Sequence, residues 1–86
     1  MEIEFTKTAK VDLKYWQKTG NIRVQKRIEE LLNSILENPF EGIGKPEKLK
    51  YKLTGKWSRR IDLENRFVYA IENNTIFVYS LKGHYL

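Results

Sequence analysis

Two hydrophobic periods divide the chain. Between residues 6 and 36 apolar side chains recur every three to four positions, and from residue 51 onward they alternate. In the first stretch Ala9, Leu13 and Trp16 mark one face of a helix that Thr6 or Thr8 caps and Gly20 closes from the C′ position. Asn21 caps a second helix over 22–36. There Val24, Ile28, Leu31, Leu32 and Ile35 form an apolar stripe, with Lys26, Glu29, Glu30 and Asn33 away from it. Asn38-Pro39 stops that helix, because the residue before a proline is pushed out of the helical region. Ahead of both helices, Ile3 and Phe5 alternate with acids and predict a short strand.

Residues 39–48 read as a loop punctuated by Pro39, Gly42, Gly44 and Pro46. After it, Tyr51 and Leu53 fall in one short strand and Gly55 in a turn. Residues 57–61 make a second strand, 62–65 a turn, 67–71 a third strand, Asn73-Asn74 a tight hairpin and 76–81 a fourth strand. The order is β-α-α-β-β-β-β. It predicts an α+β fold over residues 1–86 as one domain. The sheet is small and antiparallel, mixed at its N-terminal strand, with two helices packed on one face. Period two then assigns faces. Trp57 and Ile61 share one face with Arg60 on the other. Phe67, Tyr69 and Ile71 share a face with Arg66, Val68 and Ala70 opposite. With the aromatic set against the helices, Arg60, Arg66 and Ala70 are left on an open, positively charged groove.

Composition sharpens this picture at the charge. The chain carries 16 Lys plus Arg against 11 Asp plus Glu, a net charge of +5. Residues 45–66 hold eight of those cations (Lys45, Lys48, Lys50, Lys52, Lys56, Arg59, Arg60, Arg66) and three acids, so this segment alone accounts for the excess. Such clustering predicts a phosphate-bearing partner. The chain has no Cys and one His, which excludes disulfides, thiolate metal sites, a Cys nucleophile and a His-rich metal centre. No apolar run approaches the roughly 20 residues of a membrane span. The start Met1-Glu2-Ile3-Glu4-Phe5 lacks the pattern of a signal peptide, and a cytoplasmic location is expected.

A polyanion groove needs only cations. Cutting RNA without a metal or other cofactor also needs a base for the 2′-hydroxyl proton, an acid for the departing 5′-oxygen and a fixed cation beside the phosphorus centre. Glu47 is the only acid between Lys45 and Arg60, and His84 is the only histidine. Arg66 and Arg60 project to the proposed groove. Each residue also has a plain structural reading. Glu47 is then a solvated loop acid, His84 a surface residue, Arg66 a partner of Glu64 across the turn, and Trp57 a core side chain. Asp62 and Glu64 read as turn residues rather than metal ligands, because no third ligand is evident. Gly42-Ile43-Gly44 lacks the strand and helix of a phosphate loop. On the residues alone the chain is a small basic α/β domain that binds nucleic acid, or a metal-free ribonuclease.

Longer motifs narrow the choice. Tyr15-Trp16-Gln17, the run from Asn38 to Glu47, Leu49-Lys50, the run from Leu53 to Ile61, Arg66-Phe67-Val68-Tyr69-Ala70 and His84-Tyr85 together resemble the YoeB (Txe) toxins of bacterial toxin–antitoxin pairs. These belong to the RelE/ParE superfamily. The resemblance spans nearly the whole chain and implies a RelE-like, microbial-RNase-like fold. It implies a ribosome-dependent endoribonuclease that cuts mRNA in the A site and stops translation. It also implies neutralisation by a YefM-like (Phd/YefM family) antitoxin, operator DNA met only through that complex, and a homodimer as a possible state. By position the motif Glu is Glu47 (base), the strand Arg is Arg66 (transition-state stabiliser) and the terminal His is His84 (acid). Lys50 and Arg60 would contact phosphate, and Tyr85 would position substrate. The alternative is a non-catalytic ParE-like inhibitor or RNA-binding module. Four positions depart from the family pattern. Lys48 replaces a second proline and predicts a looser loop around Glu47. Asn65 replaces a histidine. Gly83 replaces a bulkier residue and predicts a freer tail before His84. Leu86 extends the chain past the His-Tyr pair.

Overall fold

Thr6 decides where the first helix begins. Its hydroxyl accepts from the Ala9 N–H at 3.2 Å and donates to the Tyr79 carbonyl at 3.0 Å. It thus satisfies a free donor of the first turn and ties that turn to the sheet. The computed structural model of the chain describes residues 1–84. Its elements are β1 (Glu2–Phe5), α1 (Lys7–Lys18), α2 (Ile22–Glu37), β2 (Glu47–Lys48), β3 (Trp57–Arg60), β4 (Arg66–Glu72) and β5 (Thr75–Ser80), with a 3-10 turn at Tyr51–Leu53. Asn21 caps α2 by accepting from the Val24 N–H at 3.1 Å.

The strands form one mixed sheet in the order β1-β5-β4-β3-β2. β1 runs parallel to β5, and every other neighbour is antiparallel. The α1–α2 excursion carries the chain from β1 at one edge of the sheet to β2 at the other, and β3 and β4 lead back so that β5 lies parallel to β1. Phe67 and Tyr69 of β4 share a buried cluster with Ala9, Trp16, Val24, Ile28, Leu31 and Ile35 of the helices, so the aromatic set faces them as expected. Each fully buried side chain there contributes about 1.5–3 kcal/mol of transfer free energy. Asn73 and Asn74 both adopt positive φ, 49° and 59°, as a two-residue hairpin with the twist of its strands demands. No helix among the described residues is long and apolar enough to cross a membrane.

Two elements differ from the sequence expectation: Glu47–Lys48, read as the end of a loop, is strand β2, and the next segment is a turn. Tyr51 and Leu53 are not in a strand. Leu53 N–H donates to the Lys50 carbonyl, Thr54 N–H donates to the Tyr51 carbonyl, and Tyr51 has φ 58°. A two-step alternation flanked by lysines fits a tight turn as well as a strand. The ladder settles which forms, because β3 has partners only for Glu47 and Lys48. Leu49 N–H then closes on the Lys56 carbonyl at 2.9 Å. Lys48 therefore stands inside a ladder, not in the loose loop that its departure from proline suggested.

Candidate active site

Register alone sorts the strand residues by face. Glu47 stands opposite Ser58, and Arg60 stands opposite Arg66. Ser58 and Arg60 lie two apart on β3, so Glu47, Ser58, Arg60 and Arg66 share the sheet face away from the helices. At about 4.8 Å between strands and 3.4 Å per residue, the Glu47 Cα lies about 8 Å from that of Arg60 and about 12 Å from that of Arg66. Glu47 and Lys50 are exposed and belong to a cleft of about 800 Å³ lined by residues 47–53. The ladder, not this cleft, relates them to Arg60 and Arg66.

The two central arginines are held differently. Arg60 is exposed, and its backbone N–H donates to the Gly44 carbonyl at 2.7 Å. Arg66 is buried and folds back over its own turn. Its Nη1 donates to the carbonyls of Asp62 (2.9 Å), Asn65 (3.2 Å) and Leu63 (3.4 Å) rather than to Glu64. No buried side-chain nitrogen or oxygen among the described residues lacks a partner. The Arg66 donors outside the turn are therefore those that reach solvent.

The chain's last described segment returns to the same place. Arg66 N–H donates to the Gly83 carbonyl at 3.0 Å, and Gly83 N–H donates to the Asn65 side chain at 2.8 Å. His84 follows directly and is exposed. The structure thus brings Arg60 and Arg66 to one end of the sheet face away from the helices, with Glu47 across β3, and His84 follows the residue that pairs with the Arg66 backbone. The freedom expected at Gly83 is countered by hydrogen bonds on both its backbone groups. Tyr85 lies outside the described residues. Among those described, no group of three or more His, Cys, Asp or Glu is placed to hold a metal ion. Asp62 instead accepts from Glu64 and Asn65 N–H within its turn.

Arg59 corrects the reading of the charge. The sequence counts it among the eight cations of the phosphate-binding segment, yet it is 0% exposed and faces the helices. Its guanidinium donates to the Tyr69 hydroxyl (3.1 Å), Ser34 Oγ (2.7 Å) and the carbonyls of Ile43 (3.2 Å), Asn38 (2.7 Å) and Glu41 (3.0 Å). These bonds use every N–H that an arginine has. They fold the loop that leads into Glu47. Gly44 in that loop has φ 82°, and a Cβ there would lie 2.6 Å from Leu31 Cδ2. Only glycine lets the loop approach α2 this closely. The signal for Arg59 was present in the alternation: it lies between Trp57 and Ile61, which were both assigned inward.

Tyr69 completes this knot by donating to the Pro39 carbonyl at 2.6 Å. Burial raises its hydroxyl above the ordinary 10.0, against the opposing hydrogen bond and charge of Arg59. The fold therefore favours the protonated phenol. That contribution is complete below the unfolded value and is lost as pH rises through the folded one, because the unfolded chain ionises first. Urea unfolding between about pH 9 and 11 should show a steeper loss of stability in the parent than in Tyr69→Phe. Equal slopes would show that Tyr69 is not the source.

Comparison with known proteins finds relatives of the same fold. Residues 5–85 match the model of the YoeB-like toxins of bacterial type II toxin–antitoxin systems. Toxin YoeB of Escherichia coli (strain K12) is 46% identical over 74 residues, covering 86% of this chain and 87% of that protein. The YoeB dimer from Staphylococcus aureus superposes with a TM-score of 0.90 at 49% identity, covering 99% of this chain and 98% of that one. The heterotetrameric YoeB–YefM complex from the same organism gives 0.89 at 49% identity with the same coverage. A two-helix layer on a mixed five-stranded sheet, with acid and arginines gathered on its open face, thus marks the toxin half of a toxin–antitoxin pair. Within that class the chain belongs to the YoeB-like toxin family.

Proposed function

We propose that this protein is a ribosome-dependent endoribonuclease that cuts mRNA in the A site of cytoplasmic ribosomes by metal-independent acid–base chemistry. The observation that carries the reading is the convergence on one sheet face. Ladder register puts Glu47, Arg60 and Arg66 on it, and the Gly83–Arg66 hydrogen bond ties the residue before His84 to the start of β4, which supports the reading. In this scheme Glu47 takes the 2′-hydroxyl proton and that oxygen attacks the adjacent phosphorus. Arg66 stabilises the added negative charge, with Arg60 and Lys50 on neighbouring phosphate oxygens. His84 protonates the departing 5′-oxygen, and Tyr85 positions the substrate beside it. The products are a 2′,3′-cyclic or 3′-phosphate end and a 5′-hydroxyl end.

YoeB from Staphylococcus aureus is solved both in complex with YefM and as a dimer. By extension, this chain has a YefM-like antitoxin whose acidic segment covers the basic face, meets operator DNA only through that complex, and can self-associate. Expression in a bacterium followed by mapping of mRNA 5′ ends tests the activity. New ends within start-proximal codons are the expected result. Growth arrest with intact mRNA would overturn the nuclease reading in favour of a non-catalytic inhibitor.

A further inference from the structure

Asn65 ends the β3–β4 turn, one residue before Arg66, and its side chain works in two directions. Nδ2 donates to the two carboxylate oxygens of Asp62, at 3.0 and 3.2 Å, and Oδ1 accepts from the Gly83 N–H at 2.8 Å. These partners fix which way the amide points. A carboxylate only accepts, and a backbone N–H only donates. Asp62 is itself immobilised by the N–H groups of Glu64 and Asn65, at 2.9 and 2.8 Å.

The far end of the bridge is Gly83, eighteen residues away in sequence. Its φ is 82°, in the left-handed region that local preference does not select over others for glycine. Leu81 is anchored on its own account. Its N–H donates to Asp12 Oδ2 and its carbonyl accepts from the Trp16 indole, each at 2.9 Å. Beyond Leu81, Gly83 is tied by the Asn65 side chain on one backbone group and by the Arg66 N–H on the other. Two consecutive residues of β4's entry therefore hold the residue that immediately precedes His84.

From this geometry we infer that Asn65 is a positioning residue for His84: the Asp62–Asn65–Gly83 bridge sets the imidazole at a constant offset from Arg66. The inference rests on the reading of His84 as the general acid, and it adds a residue that touches no substrate. Misplacement of a reacting group by about 1 Å can cost a factor of 10². Losing one of two ties should cost less, about 10-fold.

The chain suits a direct test, since it has five glycines and one histidine, so the Gly83 amide and the His84 ring are readily resolved by NMR. In Asn65→Ala, amide exchange at Gly83 should accelerate about 10-fold. Single-turnover cleavage on ribosomes programmed with a short mRNA should slow about 10-fold at saturation, with half-saturation unchanged. The exchanged pair Asp62→Asn with Asn65→Asp keeps the net charge, the acceptor for the Gly83 N–H and one of the two donor–acceptor contacts between the side chains, and it should restore most of both losses. On a His84→Ala background Asn65→Ala should cost nothing further, because the two act through one group. Unchanged protection of Gly83 in Asn65→Ala, or a full additional loss on the His84→Ala background, would overturn the inference. A normal rate for His84→Ala alone would instead overturn the acid reading, and the exchange data would still report the bridge.

Discussion

Glu47→Gln is expected to lower the rate of mRNA cleavage by about 10²–10⁴ while leaving RNA affinity close to that of the parent. The amide keeps the shape of the carboxylate but cannot take a proton. Glu47 is exposed at the start of a two-residue strand and belongs to no buried hydrogen-bond network, so the change should leave stability within about 0.5 kcal/mol. Removing one negative charge from a basic face should, if anything, tighten binding to phosphate. The signature is thus a fall in the maximal rate without a rise in half-saturation, as for a group needed only in the transition state. Free-protein cleavage of RNA, where measurable, should persist in EDTA, since the scheme asks nothing of a metal. A Glu47→Gln variant that cuts at the parent rate would remove Glu47 from the role of base.

The second large effect separates two neighbouring arginines. Arg59→Leu should cost about 3 kcal/mol or more of stability. Five acceptors converge on this guanidinium, and leucine answers none of them. Lysine is no substitute, because its three donors cannot span a planar five-point site. Arg60→Leu, at an exposed position, should change stability by no more than about 0.5 kcal/mol. It should instead weaken RNA binding and lower the salt dependence of that binding by roughly one counterion. Urea titration and RNA titration across salt concentrations read the two effects separately. Comparable losses of stability in the two variants would contradict the division of labour between the faces of β3.

That division shows how the site could be read from sequence and where the reading failed. The local spacing of Val24, Ile28, Leu31 and Ile35 marks a helix whatever surrounds it. Asn21 caps the second helix as expected, and of the two threonines open to the first it is Thr6 that caps it. Alternation along Phe67–Ile71 assigned the inward face correctly, because a strand allows only two. The same rule, carried from Trp57 through Arg59 to Ile61, would have sent Arg59 inward. A count of cations takes no account of faces, and a buried cation is rare unless its donors are satisfied. The turn at Tyr51–Leu53 was misread for a different reason. Two alternating apolar residues are too short a pattern to separate a strand from a turn, and only the available partners on β3 decide.

What the amino-acid sequence determined by itself is therefore local. It set the two helices and their caps, the strand periods, the Asn-Asn hairpin, the single acid amid the cations and the motifs of the family. The tertiary structure alone decided the non-local matters. It set β1 beside β5, sent Arg59 into the loop knot while Arg60 stayed on the open face, and returned Gly83 and His84 to the start of β4. Each of these depends on groups far apart in the chain meeting with their hydrogen-bond partners. The cost of closing those loops is repaid only when the whole sheet is formed. Position along the chain names the candidate residues, and long-range pairing brings their strands together.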